Sequence, residues 1–473
     1  MPASTTNAAR VAVLADSDTR WKWGALTARR IAPDREEQQL DGFLLRGRAT
    51  PTPRQLQEIG VRAGSLSEVT AVEFLRHMER EDAPYDLVVL ALVGGGVQAL
   101  LHGLARVWEG RPRRPVVVTG YVGVVYEKLA DGLLLRHGAD LVLANSRQDA
   151  ERFRGVYEGV GADPAAVTEC ALPFLDGAAG RTAKATADAT AADAADATAH
   201  AAPTDAADPA TPASPATPTT PLTVVFAVQP SVPESRADRV YLLRRAIAHA
   251  GLHPDREVLV KLRSRPGEHT THIEEHPYQR LVRTERTPDN FRLVYGHMGE
   301  VLDRAGLLVT VSSTAALESL HRSIPTAVLT DLGIREPLGN HHFIGSGCLA
   351  SWNQLDAGLL PTADPAWTAR QGVAADRPYE SSFDTARARV EELLAAPSLA
   401  PVEPYYTTVT APGYLPGILA RHHLGPDGTP LPGAAAASVE PGPVRQAVRH
   451  AARGAYRHGV QRVAPVIRRM GGL

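Results

Sequence analysis

Apolar residues recur along this chain in short unbroken runs, separated by longer stretches with a helical period, and that alternation sets the expected elements. Arg10 to Ala15 reads as a strand ending at Asp16, and Asp86 to Leu92, Pro115 to Thr119 and Asp140 to Ala144 read as three more. Helical patterns follow them: one from Gly94-Gly95-Gly96 to about Trp108, one around Glu127 to His137, and one that Asn145 or Ser146 is placed to cap. A second set of apolar runs covers Leu222–Val228, Glu257–Leu262, Leu307–Val311 and Thr326–Leu329, again with helical stretches between them. Strands that are apolar throughout belong to a parallel sheet covered on both faces. The expected fold is therefore α/β, with two Rossmann-like doubly wound domains facing each other across a cleft and ligands at the carboxyl ends of the strands.

Between the two sets, Gly177 to Pro221 consists of Ala, Thr, Asp and Pro with almost no large apolar side chain. Such a stretch cannot bury enough surface to offset the entropy of ordering it, so it reads as a linker or insertion. The two domains are expected at 1–176 and 222–397, followed by a connecting segment at 398–440. From Pro441 to Leu473 there is no acid, while Arg445, Arg449, Arg453 and Arg457 recur every four residues. That pattern suits a basic amphipathic helix on an anionic membrane surface; a basic tail, or a helix packed on the protein, fits it equally.

Composition narrows the function classes. At 473 residues the chain is too long for one core. Lys+Arg at 50 against Asp+Glu at 52 provide no field for bulk nucleic-acid binding. The two cysteines, Cys170 and Cys348, support neither a disulfide framework nor a zinc cluster, and they fit a reducing compartment. The N-terminal residues lack a signal-peptide pattern, and no apolar run reaches about 18 residues. The expected location is the cytoplasm, with the basic tail allowing peripheral attachment to the inner face of the plasma membrane.

The densest chemistry lies in Leu307 to Thr330, where an apolar strand ends at Ser312-Ser313-Thr314, a helix follows, and Pro325 opens the next strand. Hydroxyls and free N–H groups at such a turn suit a phosphate or pyrophosphate, and Glu318, one turn further on, suits ribose hydroxyls. The same Ser or Thr can equally serve only as a helix cap. The strand VLVKLRSR delivers Lys261, Arg263 and Arg265 to its end, where clustered cations can hold a diphosphate leaving group; a solvated basic loop is the alternative. His297, before the next helix, is a candidate general acid.

The pattern Lys-Leu-x-x-x-Pro, then Ser-Ser-Thr-x-x-x-Glu, then Pro resembles the C-terminal domain of GT-B glycosyltransferases. It looks most like bacterial polysialyltransferases and CDP-glycerol glycerophosphotransferases, whose donors carry cytidine nucleotides. In those families a His-Pro pair and a Ser-Ser/Thr pair contact the nucleotide phosphates. The Ser pair maps onto Ser312 and Ser313; the His-Pro pair maps onto Arg265-Pro266, so the histidine is replaced. The chain also resembles a group of actinobacterial proteins labelled glycosyltransferases. The resemblance implies a metal-independent enzyme that moves a sugar from a nucleotide-sugar, which is a substrate and not a cofactor. The acceptor would be a carbohydrate or lipid-linked chain in cell-surface glycan synthesis.

The first domain is then expected to hold the acceptor and the base. Asp16-Ser17-Asp18-Thr19-Arg20-Trp21-Lys22-Trp23 follows the first strand; Asp16 or Asp18 would take the acceptor's proton. Arg20, Lys22, Gly95 and Tyr121 would contact the acceptor, and Trp21 and Trp23 would offer faces to a sugar ring. Asp18 as a helix N-cap and the tryptophans as packing is the competing reading. Gly94-Gly95-Gly96 is not a dinucleotide fingerprint, because position 99 is Ala99, and hydride transfer loses support. Asn340-His341-His342-Phe343 is placed to line the donor side, and adjacent histidines make no metal site. The rival functions are a glycerophosphotransferase or UDP-sugar epimerase of the same fold, and a non-catalytic scaffold that binds glycan or membrane partners.

Overall fold

The computed structural model describes residues 9–33, 39–80, 85–124, 129–175, 222–265, 268, 274–373 and 378–432. The Gly177–Pro221 linker, the basic tail, Tyr126, Glu127 and Pro266 lie outside the described residues.

Two parallel sheets form, one from each half of the chain. The first contains β1 (Arg10–Ala15), β2 (Gln39–Leu45), β3 (Ser65–Val69), β4 (Leu87–Ala91), β5 (Val116–Gly120), β6 (Leu141–Ala144) and β7 (Val167–Glu169), in the order β3-β2-β1-β4-β5-β6-β7. The second contains β8 (Thr223–Ala227), β9 (Glu257–Lys261), β10 (Phe291–Val294), β11 (Leu307–Thr310), β12 (Thr326–Leu329) and β13 (Leu349–Ala350), in the order β10-β9-β8-β11-β12-β13. In register, Val11 faces Leu40 on one side and Leu87 on the other, while Val225 faces Leu259 and Leu308. The central strands β4, β5, β6 and β8 are buried along their whole length, as runs without polar interruption require.

The apolar runs anticipated at the sequence level all appear as strands, within a residue or two of the expected ends. Strands β2, β3, β7, β10 and β13 were not anticipated. β2 is interrupted by Asp41-Gly42, β3 is a largely exposed edge, and β7 and β13 are very short. The doubly wound GT-B arrangement is thus the observed one. Helix starts follow local chemistry: Thr52 with Gln55 and Thr70 with Glu73 close capping boxes, and Ser146, of the two residues proposed, accepts from Asp149 N–H at 3.0 Å. Ser17 occupies the N-cap of the helix Asp18–Ile31, so Asp18 is its first residue and is not the cap.

After the second sheet the chain returns to the first domain, both before and within the segment from 398. The helix Asp384–Ala395 docks on Asp18–Ile31, β5 and β7, and the helix Leu415–Arg421 docks on Gly94–Val107. Val402, Leu415, Ile418, Leu419 and Leu424 are buried in one cluster with Leu14, Val88, Val97 and Leu101. A second cluster is continuous between the domains, joining Trp21, Trp23 and Phe174 to Ala315, Leu317 and Val328.

If the returning segment completes the first domain's core, Leu419→Ala is expected to destabilise the protein by about 2–5 kcal/mol, as for other buried leucines. Calorimetric melting reads this directly, and a change below about 0.5 kcal/mol would show that the segment is not docked.

Candidate functional site

Parallel strands place every following loop at one end of the sheet, and a crevice opens where the loops of neighbouring strands diverge. In the first sheet that point lies between β1 and β4, where Asp16 Oδ2 accepts from Val93 N–H at 2.9 Å and Oδ1 accepts from Arg20 at 3.0 Å. In the second it lies between β8 and β11, where Gln229 Oε1 accepts from Ser312 N–H at 3.1 Å. Between the two crevices is a cleft of about 1120 Å³ lined by both domains. The first contributes Asp18, Arg20, Lys22, Glu58, Tyr121 and Arg136; the second contributes Gln229, Lys261, Arg263, His297, Ser312, Ser313, Thr314 and Glu318.

Ion pairs cross this cleft. Arg263 Nη2 lies 3.0 Å from Asp18 Oδ1 and also donates to Thr19 Oγ1. Lys22 Nζ lies 3.9 Å from Glu318 Oε2, and Lys261 Nζ lies 3.9 Å from Glu58 Oε1. Arg54 binds both Glu58 and, across the domains, Glu268. A Cβ on Gly123 would meet the Thr314 hydroxyl at 2.5 Å, so the two loops touch.

These surroundings tune the titrating groups. Burial penalises the Asp18 charge, but Arg263 and the bonds from Thr19 outweigh it and hold the carboxyl below its ordinary range. Burial pushes Glu318 up, opposed by Lys22, Arg322 and Lys261. It pushes Lys261 down to about 8, with Glu58 opposing. His297 is lowered first by burial and then by the Lys22 charge, which leaves a neutral imidazole near pH 7.

Several expected site residues sit elsewhere. Trp21 and Trp23 are fully buried, offer no face to a sugar, and pack under the sheet; Trp23 Nε1 donates to Asn145 Oδ1 at 3.4 Å. The signal for this was present, because Trp21, Gly24, Ala25, Ala28 and Ile31 form a buried stripe of helical period. Asp16 is bound into its crevice and does not line the cleft. Lys22 points to Glu318, with Phe174 beneath it, and not to an open acceptor face. Gly95 faces Ile418 of the returning helix, outside the cleft. Arg265 stacks over Tyr295, also outside it. Asn340 ties Leu329 and Gly333 together, and the Asn340–Phe343 turn does not reach the cleft. Ser312, Ser313 and Thr314 all border the cleft, but the Ser312 hydroxyl is engaged, donating to the Leu338 carbonyl. His297, the expected general acid, lines the cleft, where burial and the Lys22 charge disfavour its protonated form.

Other residues were not foreseen. Glu58 and Arg54 come from the helix Pro53–Ile59, distant in sequence from both strand ends, and no local motif marks them. Arg136 is almost entirely buried beneath the cleft, donating to the carbonyls of Gly120, Gly132 and Leu92 with Tyr121 stacked on its guanidinium. Arg239 gathers the Gln229, Pro230 and Pro233 carbonyls and so shapes the loop after β8. Among the described residues, His249, His253 and Asp356 could hold a metal ion, but they lie away from the cleft, and Arg245 and Arg256 already donate to Asp356 and His249.

The site is thus a two-domain cleft with both signs of charge on each wall, paired across it. The chain belongs to the family described as "Putative glycosyltransferase (DUF6716)", whose sequence profile matches residues 11–393. No curated protein matches the sequence. Among solved structures it is similar to UDP-GlcNAc 2-epimerase from Methanocaldococcus jannaschii at 10% identity, covering 82% of this chain and 100% of that one, with a TM-score of 0.46. The Neisseria meningitidis UDP-GlcNAc 2-epimerase bound to UDP-GlcNAc gives 10% identity, 81% and 98% coverage and a TM-score of 0.43. A UDP-glucosyltransferase from Polygonum tinctorium gives 10%, 83%, 96% and 0.42.

Two outcomes follow from this geometry. A lysine with a lowered pKa loses its charge as pH rises through that value. Pyrophosphate affinity, read by calorimetric titration, is therefore expected to fall between about pH 7 and 9 and to flatten in Lys261→Arg, whose guanidinium stays charged. Among the described residues the buried Tyr121 hydroxyl has no hydrogen-bond partner, so Tyr121→Phe is expected to leave the melting temperature unchanged or raise it. A loss above about 1 kcal/mol would show that the hydroxyl is bonded.

Proposed function

We propose that this chain transfers a sugar from a nucleotide-activated donor to a carbohydrate or lipid-linked acceptor in cell-surface glycan synthesis. The observation that carries the reading is the meeting of Lys261, Arg263 and Thr314 with Asp18 across one cleft. Lys261 and Arg263 would hold the donor's phosphates and neutralise the charge that develops as the sugar leaves, with the Ser313 and Thr314 hydroxyls donating to the same oxygens. Glu318 would accept from the ribose. The acceptor hydroxyl would attack the anomeric carbon, the bonding pair of the sugar–phosphate link would pass to the nucleotide, and the proton would pass to Asp18. Paired with Arg263, Asp18 is a weak base. Once phosphate oxygens engage Arg263, burial dominates and the carboxylate becomes a stronger one. Neutral His297 would donate its N–H to the departing phosphate. Arg20 and the Tyr121 ring, which line the cleft, would contact the acceptor. This scheme uses the nucleotide-sugar as a substrate and requires no cofactor. The resemblance to cytidine-nucleotide enzymes favours a CMP- or CDP-linked donor.

A thermal-shift screen of the full chain against CMP, CDP, UDP, UDP-sugars and GDP, with and without EDTA, tests the reading by mass action. One nucleotide is expected to raise the melting temperature, independently of EDTA, with the shift lost in Arg263→Gln. With that donor, Asp18→Asn is expected to slow transfer by about 10²–10⁴-fold. No shift with any nucleotide would refute the transferase reading, and sugar release without an acceptor would point to epimerase or hydrolase chemistry.

A further inference from the structure

Both cations placed to hold donor phosphates are engaged by carboxylates of the facing domain. Arg263 Nη2 meets Asp18 Oδ1 at 3.0 Å, and Lys261 Nζ meets Glu58 Oε1 at 3.9 Å. The side chains of Asp18 and Glu58 are only 14% and 19% exposed, so bulk water screens these pairs weakly. Carboxylate and phosphate oxygens bind the same N–H donors with the same sign of charge, and a cation fully engaged by one is lost to the other. The two acids also come from separate elements, one from the turn after β1 and one from the helix Pro53–Ile59, yet both converge on the end of β9.

We propose that Asp18 and Glu58 stand in for the donor's phosphates, forming an interlock that the donor displaces before the acceptor can react. This rests on the transferase reading above. The two carboxylates differ in what displacement leaves behind. Glu58 keeps a second cation, Arg54, which it shares with Glu268. Asp18 keeps the bond to Thr19 but loses the one ion-pair partner it has among the described residues, and so it becomes the base at the moment the donor is seated. Donor binding and base activation are one event, which fixes the order donor first, acceptor second.

Competition makes the proposal measurable without knowing the acceptor. Calorimetric titration of the full chain uses CDP and UDP as probes. Asp18→Asn, nearly isosteric, is expected to bind the recognised nucleotide about fivefold more tightly than wild type. Glu58→Gln is expected to gain less, because Arg54 already shares the Glu58 charge; it gives an independent readout should Asp18→Asn fold poorly. The Asp18→Asn gain must vanish in the Arg263→Gln background. Unchanged or weaker binding in both single variants overturns the interlock, and so does a gain that persists without Arg263, since that reports only a change in net charge. If wild type itself binds neither nucleotide, the donor site falls, and the interlock with it.

Discussion

Most side chains that reach the cleft do so because a parallel strand ends nearby. A parallel pair needs a crossover between its strands, and each crossover brings the chain back to start again from the same end of the sheet. The loops that follow the strands therefore collect at the opposite end, whatever their sequence. Two sheets built this way and joined through one apolar cluster, from Trp21 and Phe174 to Leu317 and Val328, present those ends to each other. The apolar contact sets the distance across the cleft, and only then can Asp18 and Arg263 lie 3.0 Å apart. The polar chemistry is thus secondary to packing. Burial behind the contact is also what moves Lys261, Glu318 and His297 from their ordinary titration ranges.

Within the cleft, charge is balanced almost pairwise between the domains. Asp18 faces Arg263, Glu318 faces Lys22, and Glu58 faces Lys261. An arrangement of this kind holds the two walls together without a large apolar contact at the cleft itself, and it leaves groups that a charged ligand can exchange. Arg239 and Arg136 act differently. Arg136 donates to the strand-end carbonyls of Gly120 and Leu92, and Arg239 donates to carbonyls of the loop after β8 and pairs with Glu274, so both stiffen loops that border the exchanging groups.

The architecture was largely legible because buried parallel strands are written as uninterrupted apolar runs. Where a strand failed to show, a physical reason was present: Asp41 and Gly42 break β2, β3 lies half in solvent, and β13 has two residues. On the site, Lys261, Arg263, Ser313, Thr314 and Asp18 were readable as strand-end residues, and all line the cleft. Their partners were not. That Glu58 meets Lys261, or that Lys22 turns to Glu318, depends on how two domains dock, and no local pattern encodes it. The tryptophans mislead for another reason. An indole suits a sugar face and a core equally, and only the small residues spaced along the same helical face, Gly24, Ala25 and Ala28, decide for the core.

The return of the chain to the first sheet has a bearing on how the protein is made. Leu415, Ile418, Leu419 and Leu424 belong to the core of a domain whose first strand begins at Arg10. On a ribosome that domain stays unfinished, with Leu14, Val88 and Leu101 short of their cover, until nearly the whole polypeptide has emerged. One apolar cluster of the second domain, from Val224 to Leu355, lies within a shorter stretch of chain and can close soon after it is synthesised. Vectorial synthesis therefore runs against the order in which the two cores can be finished, and a nascent chain halted between the sheets would expose apolar surface to chaperones.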